Sequence, residues 1–269
     1  MRNNSAQNAR SILATLGMAA VVGVLCLTLA VPASADTGPV VEVNVPGQPT
    51  AIYGINQGLP SLTATDLYMA GSGLAPQIVA YQGSGAYLRD QVAVNRAATK
   101  YLTSYLKEHC DDRARCEGGR RAAAVFDIDD TLLSTYDTYA ANDFSPSTPI
   151  VQAVQESCGQ TVIDSTRAFF NAAKARKVTI YLITGRGETM RAATQACLTQ
   201  VGITGYKELI MRAPAQMSLT AVAYKSAERA KIERRGYRII SAIGDQISDS
   251  AGGHTERGYL LPNPMYFIP

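Results

Sequence analysis

The chain has no tryptophan and only two histidines, His109 and His254, among 269 residues. Neither histidine lies near an obvious serine or cysteine nucleophile, which argues against triad hydrolysis. Zinc is disfavoured too, because the cysteine spacings do not fit a zinc site and only these two histidines could assist. Runs of one charge are also missing. The formal net charge is +3, and the densest basic patch, Arg113, Arg115, Arg120 and Arg121, is interleaved with Glu108, Asp111, Asp112 and Glu117. Such a surface does not suit a phosphate backbone, so polymeric nucleic acid is not expected as a partner. No collagen-like, coiled-coil or disordered bias is present. The chain is 46% hydrophobic, enough for one sizeable core with a small appended subdomain.

One long apolar run stands at the start. Arg2 and Arg10 flank the entry to Ile12–Val31, an uncharged, mostly apolar stretch of 20 residues, and Ala33-Ser34-Ala35 follows as a small-x-small cleavage site. The pattern predicts a signal peptide over residues 1–35, cleavage near Ala35, secretion, and no stable membrane insertion once processed. An uncleaved anchor is the alternative, since 20 residues can span a bilayer. Cleavage removes two arginines and no acid, so the net charge falls from +3 to +1. Cys26 leaves with the segment. Cys110, Cys116, Cys158 and Cys197 remain, an even number suited to two disulfides in an exported chain. Three pairings are open. A local clip, Cys110–Cys116, with a long-range staple, Cys158–Cys197, is the favoured one.

Residues 36–87 read as an extended, irregular arm with short helices. Valines alternate at Val41, Val43 and Val45, a short helix is expected around Thr65–Met69, and Gly71, Gly73 and Pro76 read as interruptions. From Leu88 to Glu108 apolar residues recur at helical spacing. Ala122–Phe126 is a continuous apolar run, as expected of a strand buried on both faces of a parallel sheet. It ends abruptly in Asp127, Asp129 and Asp130. Residues 132–161, rich in Thr, Tyr, Ser and Pro, are too long and aromatic for a simple connection and predict a small inserted cap with a helix around Ile150–Ser157. Helices are then expected over 163–177, 188–200 and 219–235, and strands over 178–183, 208–211 and 238–243. This alternation predicts an α/β fold: a doubly wound, mainly parallel sheet with helices on both faces, over residues 88–269. Ligands of such sheets bind at the carboxyl ends of the strands. Asp127, Thr184 and Asp245 all fall at such ends.

Asp127 and Asp129 are two apart, so an extended backbone aims both to one side. Close carboxylates repel unless a cation sits between them or one keeps its proton. Asp245 offers a third oxygen donor and Asp249 a fourth; hard oxygen ligands without imidazole or thiolate suit Mg²⁺. Thr184, before a glycine, can offer a hydroxyl to a phosphate, and Lys225 can add positive charge. Each signal is weak alone. Their order, each at the end of an apolar run or early in the next helix, gives them weight.

Asp127-Ile-Asp-Asp-Thr131, Ile183-Thr-Gly-Arg186, Tyr224-Lys-Ser226 and Gly244-Asp-Gln-x-Ser-Asp249 resemble the four motifs of the haloacid-dehalogenase-like hydrolase superfamily. More narrowly they resemble its secreted acid phosphatase branch, which includes plant vegetative storage proteins and bacterial class B and class C acid phosphatases. The resemblance implies a Rossmann-like α/β fold and hydrolysis of small phosphate monoesters, nucleotides among the candidates. It implies Asp127 as nucleophile, Asp129 as general acid and base, and Thr184 and Lys225 as phosphate-binding residues. It implies Mg²⁺ held by Asp127, the backbone carbonyl of Asp129, and Asp245, with Asp249 in support. Residues 132–161 match the small cap over the leaving-group pocket, where Tyr136, Tyr139 and Phe144 are candidate lining residues. Lys231 is a rival to Lys225. A storage or binding protein on the same fold, or a phosphotransferase using the same nucleophile, is the alternative. The branch usually has a tryptophan between the Gln and Ser of the last motif, where this chain has Ile247. The oligomeric state stays open.

Overall fold

The computed structural model describes residues 40–43, 45, 47–55 and 68–268. The expected signal peptide, 1–35, lies outside them. So does most of the expected helix around Thr65–Met69, whose last two residues form a strand instead.

The apolar run before the acidic cluster is a strand, β4 (Arg121–Phe126), with every residue from Ala122 onward buried. It lies inside a seven-stranded sheet. The other members are β1 (Val41–Val43), β2 (Ile52–Gly54), β7 (Thr179–Gly187), β8 (Glu208–Arg212), β9 (Tyr237–Gly244) and β10 (Arg257–Leu260). The order is β1-β2-β10-β9-β4-β7-β8, parallel throughout except for β1 on β2. Two small ribbons stand apart from it. In one, β5 (Leu133–Ser134) pairs with β6 (Thr161–Val162); in the other, β3 (Tyr68–Met69) pairs with β11 (Tyr266–Phe267).

Alternation along β4 sends side chains to two cores. Ala122, Ala124 and Phe126 pack with Val94, Ala98 and Leu102 of α2 (Ala86–His109) and with Phe169 and Phe170 of α5 (Asp164–Ala175). Ala123 and Val125 pack with Tyr224 and Ile232 of α7 (Ala221–Arg234). The helices therefore cover both faces, as a doubly wound sheet requires. The first turn of α7 is set by Thr220, whose hydroxyl accepts from the Ala223 N–H at 3.2 Å. That cap fixes where the helix starts, and hence where Lys225 points.

The region before residue 88 departs from the expected arm. β1 and β2 extend the main sheet, and α1 (Gly71–Gly83) runs through Gly73 and Pro76. Tertiary packing overrides these breakers: Ile78 of α1 is buried against Tyr139, Phe144, Met265 and Tyr266. That third cluster holds the cap, whose elements are α3 (Tyr136–Ala140) and α4 (Thr148–Glu156). Among the described residues no helix is long and apolar enough to cross a membrane.

Candidate active site

Past β4 the Asp127 N–H still bonds across to the Ile243 carbonyl, at 3.0 Å. The chain then tightens. The Ile128 carbonyl accepts from the N–H groups of Thr131, Leu132 and Leu133, and Asp130 takes a left-handed φ of 50°. Asp127 and Asp129 both line a cavity of about 340 Å³ at the strand ends, but they face different cations.

Asp127 accepts from Lys225 Nζ at 3.0 Å, and the same ammonium bonds Asp249. Asp127, Asp245 and Asp249 are all buried, and one carboxylate oxygen of each lies within 4.8 Å of the others. Asp245 is held by Thr131 Oγ1 at 3.3 Å and Gln246 Nε2 at 2.6 Å. Burial pushes Asp127 well above the usual carboxylate range; Lys225 pulls it back, and Asp249 and Asp245 push it up again. Burial, then Asp249 and Asp130, push Asp245 up to about 7. Lys225 keeps its charge, since Asp127 and Asp249 outweigh burial and raise it. With all three ionised, one ammonium would leave negative charge in excess, and the upward push on Asp127 and Asp245 reflects that crowding together with burial; all donors are hard oxygens. The cluster fits a divalent cation. Gly244 is needed beside it, because a Cβ there would overlap the Asp249 carboxylate.

Asp129 is not part of that cluster. Its carboxylate meets Arg186 in a fork, Nη2 to Oδ1 at 2.8 Å and Nε to Oδ2 at 2.9 Å. Gln155 and Gln160 each add an amide donor to Oδ1, at 3.0 and 2.9 Å. Burial alone would raise Asp129, but Arg186 and the two amides outweigh it and hold the group below the usual range. Arg186 is fixed in turn by Gln160 Oε1 at 2.6 Å and Thr194 Oγ1 at 3.2 Å. Thr184 sits just behind the wall. It is fully buried, its hydroxyl accepts from the Arg186 N–H at 3.2 Å, and the cavity is lined by Gly185, Arg186 and Gly187.

Disulfides Cys110–Cys116 and Cys158–Cys197 are both present. The second joins the turn between Gln155 and Gln160 to α6 (Arg191–Gln200), which carries Thr194. Lys231 pairs with Glu228, away from Asp127. Of the cap aromatics, Tyr139 lines the cavity and stacks on Tyr266 at 5.1 Å, whereas Phe144 is buried in the cap core.

Three supports, Asn263, Tyr266 and Arg229, lie outside every motif. Asn263 donates to Asp245 Oδ2 at 2.7 Å, and Tyr266 donates to Asp130 at 2.7 Å, so the C-terminal segment braces both acids. Asp130, which also binds Thr135, is pushed up to about 6 by burial. Gln246 Oε1 accepts from the Ile268 N–H at 2.9 Å, tying that segment down. Arg229 is fully buried and donates to the carbonyls of Asp249, Ser248, Ala251 and Gly253. It holds the loop that presents Asp249, and burial lowers it to about 10.

Residues 63–269 match the model of the HAD superfamily, subfamily IIIB (Acid phosphatase). The chain belongs to this family. It is therefore an enzyme of the phosphoric monoester hydrolase type. The chain is 34% identical over 189 residues to the stem 28 kDa glycoprotein of Glycine max, covering 68% of this chain and 70% of that one. It is 31% identical over 150 residues to acid phosphatase 1 of Solanum lycopersicum, covering 54% and 58%. The class C acid phosphatase of Bacillus anthracis shares the fold, with a TM-score of 0.58 at 17% identity over 73% of this chain and 87% of that chain.

Proposed function

We propose that the protein is a secreted, Mg²⁺-dependent acid phosphatase that hydrolyses small phosphomonoesters through an aspartyl-phosphate. The observation that carries this reading is the meeting of Asp127, Lys225, Asp245 and Asp249 at the ends of β4 and β9, beside the Arg186-bound Asp129. Asp127 attacks phosphorus, and the ester P–O bond breaks. Lys225 holds Asp127 and offsets charge on the phosphoryl oxygens. Thr184 and the Gly185–Gly187 backbone position the phosphoryl group. Asp129, when protonated, gives its proton to the leaving alcohol; as the carboxylate it then takes a proton from the water that attacks the aspartyl-phosphate. Inorganic phosphate leaves and Asp127 is restored. Mg²⁺, bound by Asp127 and Asp245, by the backbone carbonyl of Asp129 and with Asp249 in support, would supply Lewis-acid neutralisation of the phosphoryl charge.

Arg186 keeps Asp129 ionised in the resting protein, so its protonated form is populated only at acid pH. An acidic optimum is the expected result. The Ala33-Ser34-Ala35 signal and the two disulfides support export. Residues 132–161 act as the cap, and nucleotide monoesters belong among the candidate substrates. The test is hydrolysis of p-nitrophenyl phosphate and a nucleotide panel, with and without Mg²⁺, by wild type and Asp127→Asn. The variant is expected to lose on the order of 10⁴-fold in kcat. Equal activity in the two proteins would sink the mechanism.

A further inference from the structure

Three cations line the cavity: Arg186, Lys225 and Arg212. Two of them are already spoken for. Arg186 is paired with Asp129, and Lys225 with Asp127 and Asp249. Arg212 is different. Among the described residues it has no carboxylate partner, and its Nε is buried without a hydrogen-bond acceptor.

It is nevertheless held in place. Arg212 ends β8, in register with Gly187 of the cavity wall. Its guanidinium lies over the Tyr224 ring, 5.0 Å from the centroid. Tyr224 is fully buried and precedes Lys225 on α7. The Arg212 Nε is closed off from water, so an oxyanion in the cavity would meet the terminal guanidinium nitrogens, which no described residue bonds. Guanidinium forks match oxyanions in geometry as well as charge. Nearby, Met217 and Ile268 line the same cavity while remaining exposed at 55% and 45%, apolar surface that a substrate's body would cover.

We propose that Arg212 is a specificity residue that binds a second oxyanion on the leaving group. The preferred substrates are then phosphomonoesters whose alcohol carries a carboxylate or a further phosphate. This rests on the phosphatase reading above and names the substrate class of that same site. Arg212 acts on binding; the bond-breaking residues are unchanged by it.

The test compares phenyl phosphates that differ in one group: a carboxylate, an isosteric carboxamide, or a second phosphate, each at the meta and para positions. Wild type is expected to favour the anionic esters over the carboxamide by about tenfold in kcat/KM, expressed in KM. The carboxylate and phosphate arms report which oxyanion fits. Arg212→Gln is expected to abolish the preference, and Arg212→Lys, which keeps the charge without the fork, to retain part of it. Two results would overturn the inference alone: a wild type that hydrolyses all three esters equally well, or variants that lose activity equally on every ester. The second would mark Arg212 as structural or as a ligand of the transferred phosphoryl group. A wild type that hydrolyses no ester would instead bring down the phosphatase reading, and this inference with it.

Discussion

On the strand-end side of the cavity, Asp127 and Asp245 follow directly from β4 and β9, Asp249 comes a few residues later, and Lys225 arrives just over one turn into α7. On the cap side, Asp129 is gripped by Gln155, Gln160 and Arg186, two of which come from the inserted segment and its trailing turn. The first side has more carboxylates than cations. The second satisfies its single carboxylate with four hydrogen bonds. A charge excess is a seat for a cation, whereas a saturated carboxylate is a positioned group whose protonation is controlled by its partners. Two aspartates two residues apart thereby come to do different jobs.

The harshest challenge to this contrast is removal of the metal. Chelation is expected to lower kcat/KM by about 100-fold or more, with recovery on adding Mg²⁺. Asp245→Asn should require more Mg²⁺ for half-maximal activity, read from a metal titration. If activity survives chelation, the strand-end carboxylates are not a cation seat and the two sides no longer differ in kind.

Arg186→Gln attacks the other side. Loss of the fork is expected to cost on the order of 100-fold in kcat, because Asp129 is no longer held where the leaving oxygen departs. The pH profile should move as well. In the native protein Arg186 outweighs burial and depresses Asp129. Without Arg186, burial is unopposed, the pKa rises, and Asp129 stays protonated to higher pH. The alkaline limb of kcat should therefore shift upward. An unshifted limb would mean that Arg186 does not govern the proton on Asp129. The paired Gln155→Ala and Gln160→Ala change removes two donors to Asp129 and one acceptor of Arg186 but leaves the charged fork in place, so a loss of roughly tenfold is expected, with a smaller shift in the same direction. A loss equal to that of Arg186→Gln would place the orientation of Asp129 in the amides instead of the ion pair.

The same contrast explains what could be read from sequence. Asp127, Thr184 and Asp245 sit where apolar runs end, and strand ends in a parallel sheet converge by topology. Their meeting follows once the strands are placed. Gln155, Gln160, Asn263 and Tyr266 end no apolar run, and polar residues of their kinds are common on surfaces. Only the folded cap and the returning C-terminal segment bring them to the acids. Arg229 was hidden for another reason. It lies in a stretch that reads as a charged, solvated helix face, yet α7 buries Lys225, Glu228 and Arg229 along with Tyr224 and Ile232. Periodicity reports where apolar residues face, and it is silent when the buried face is itself polar. Gly73 and Pro76 show the opposite case: their local propensity is to break a helix, yet α1 is held by Ile78 and the cap cluster.

The smallest expected change in activity comes from opening the staple. Cys158–Cys197 closes a loop with a sequence separation of 39 and lies outside the hydrogen-bonded set around Asp129. Replacing both cysteines with serine should lower stability by about 4 kcal/mol through loop entropy, or roughly 10 °C in Tm for a chain of this size. Well below the new Tm, kcat should fall less than in the paired glutamine variant, because Arg186, Gln155 and Gln160 still reach Asp129 when the cap base is in place. A calorimetric scan beside initial rates at low temperature separates the two effects. If kcat falls as far as in Arg186→Gln while the fold persists, the disulfide itself sets the position of the glutamines, and the cap side depends on a covalent tie that the strand-end side does without.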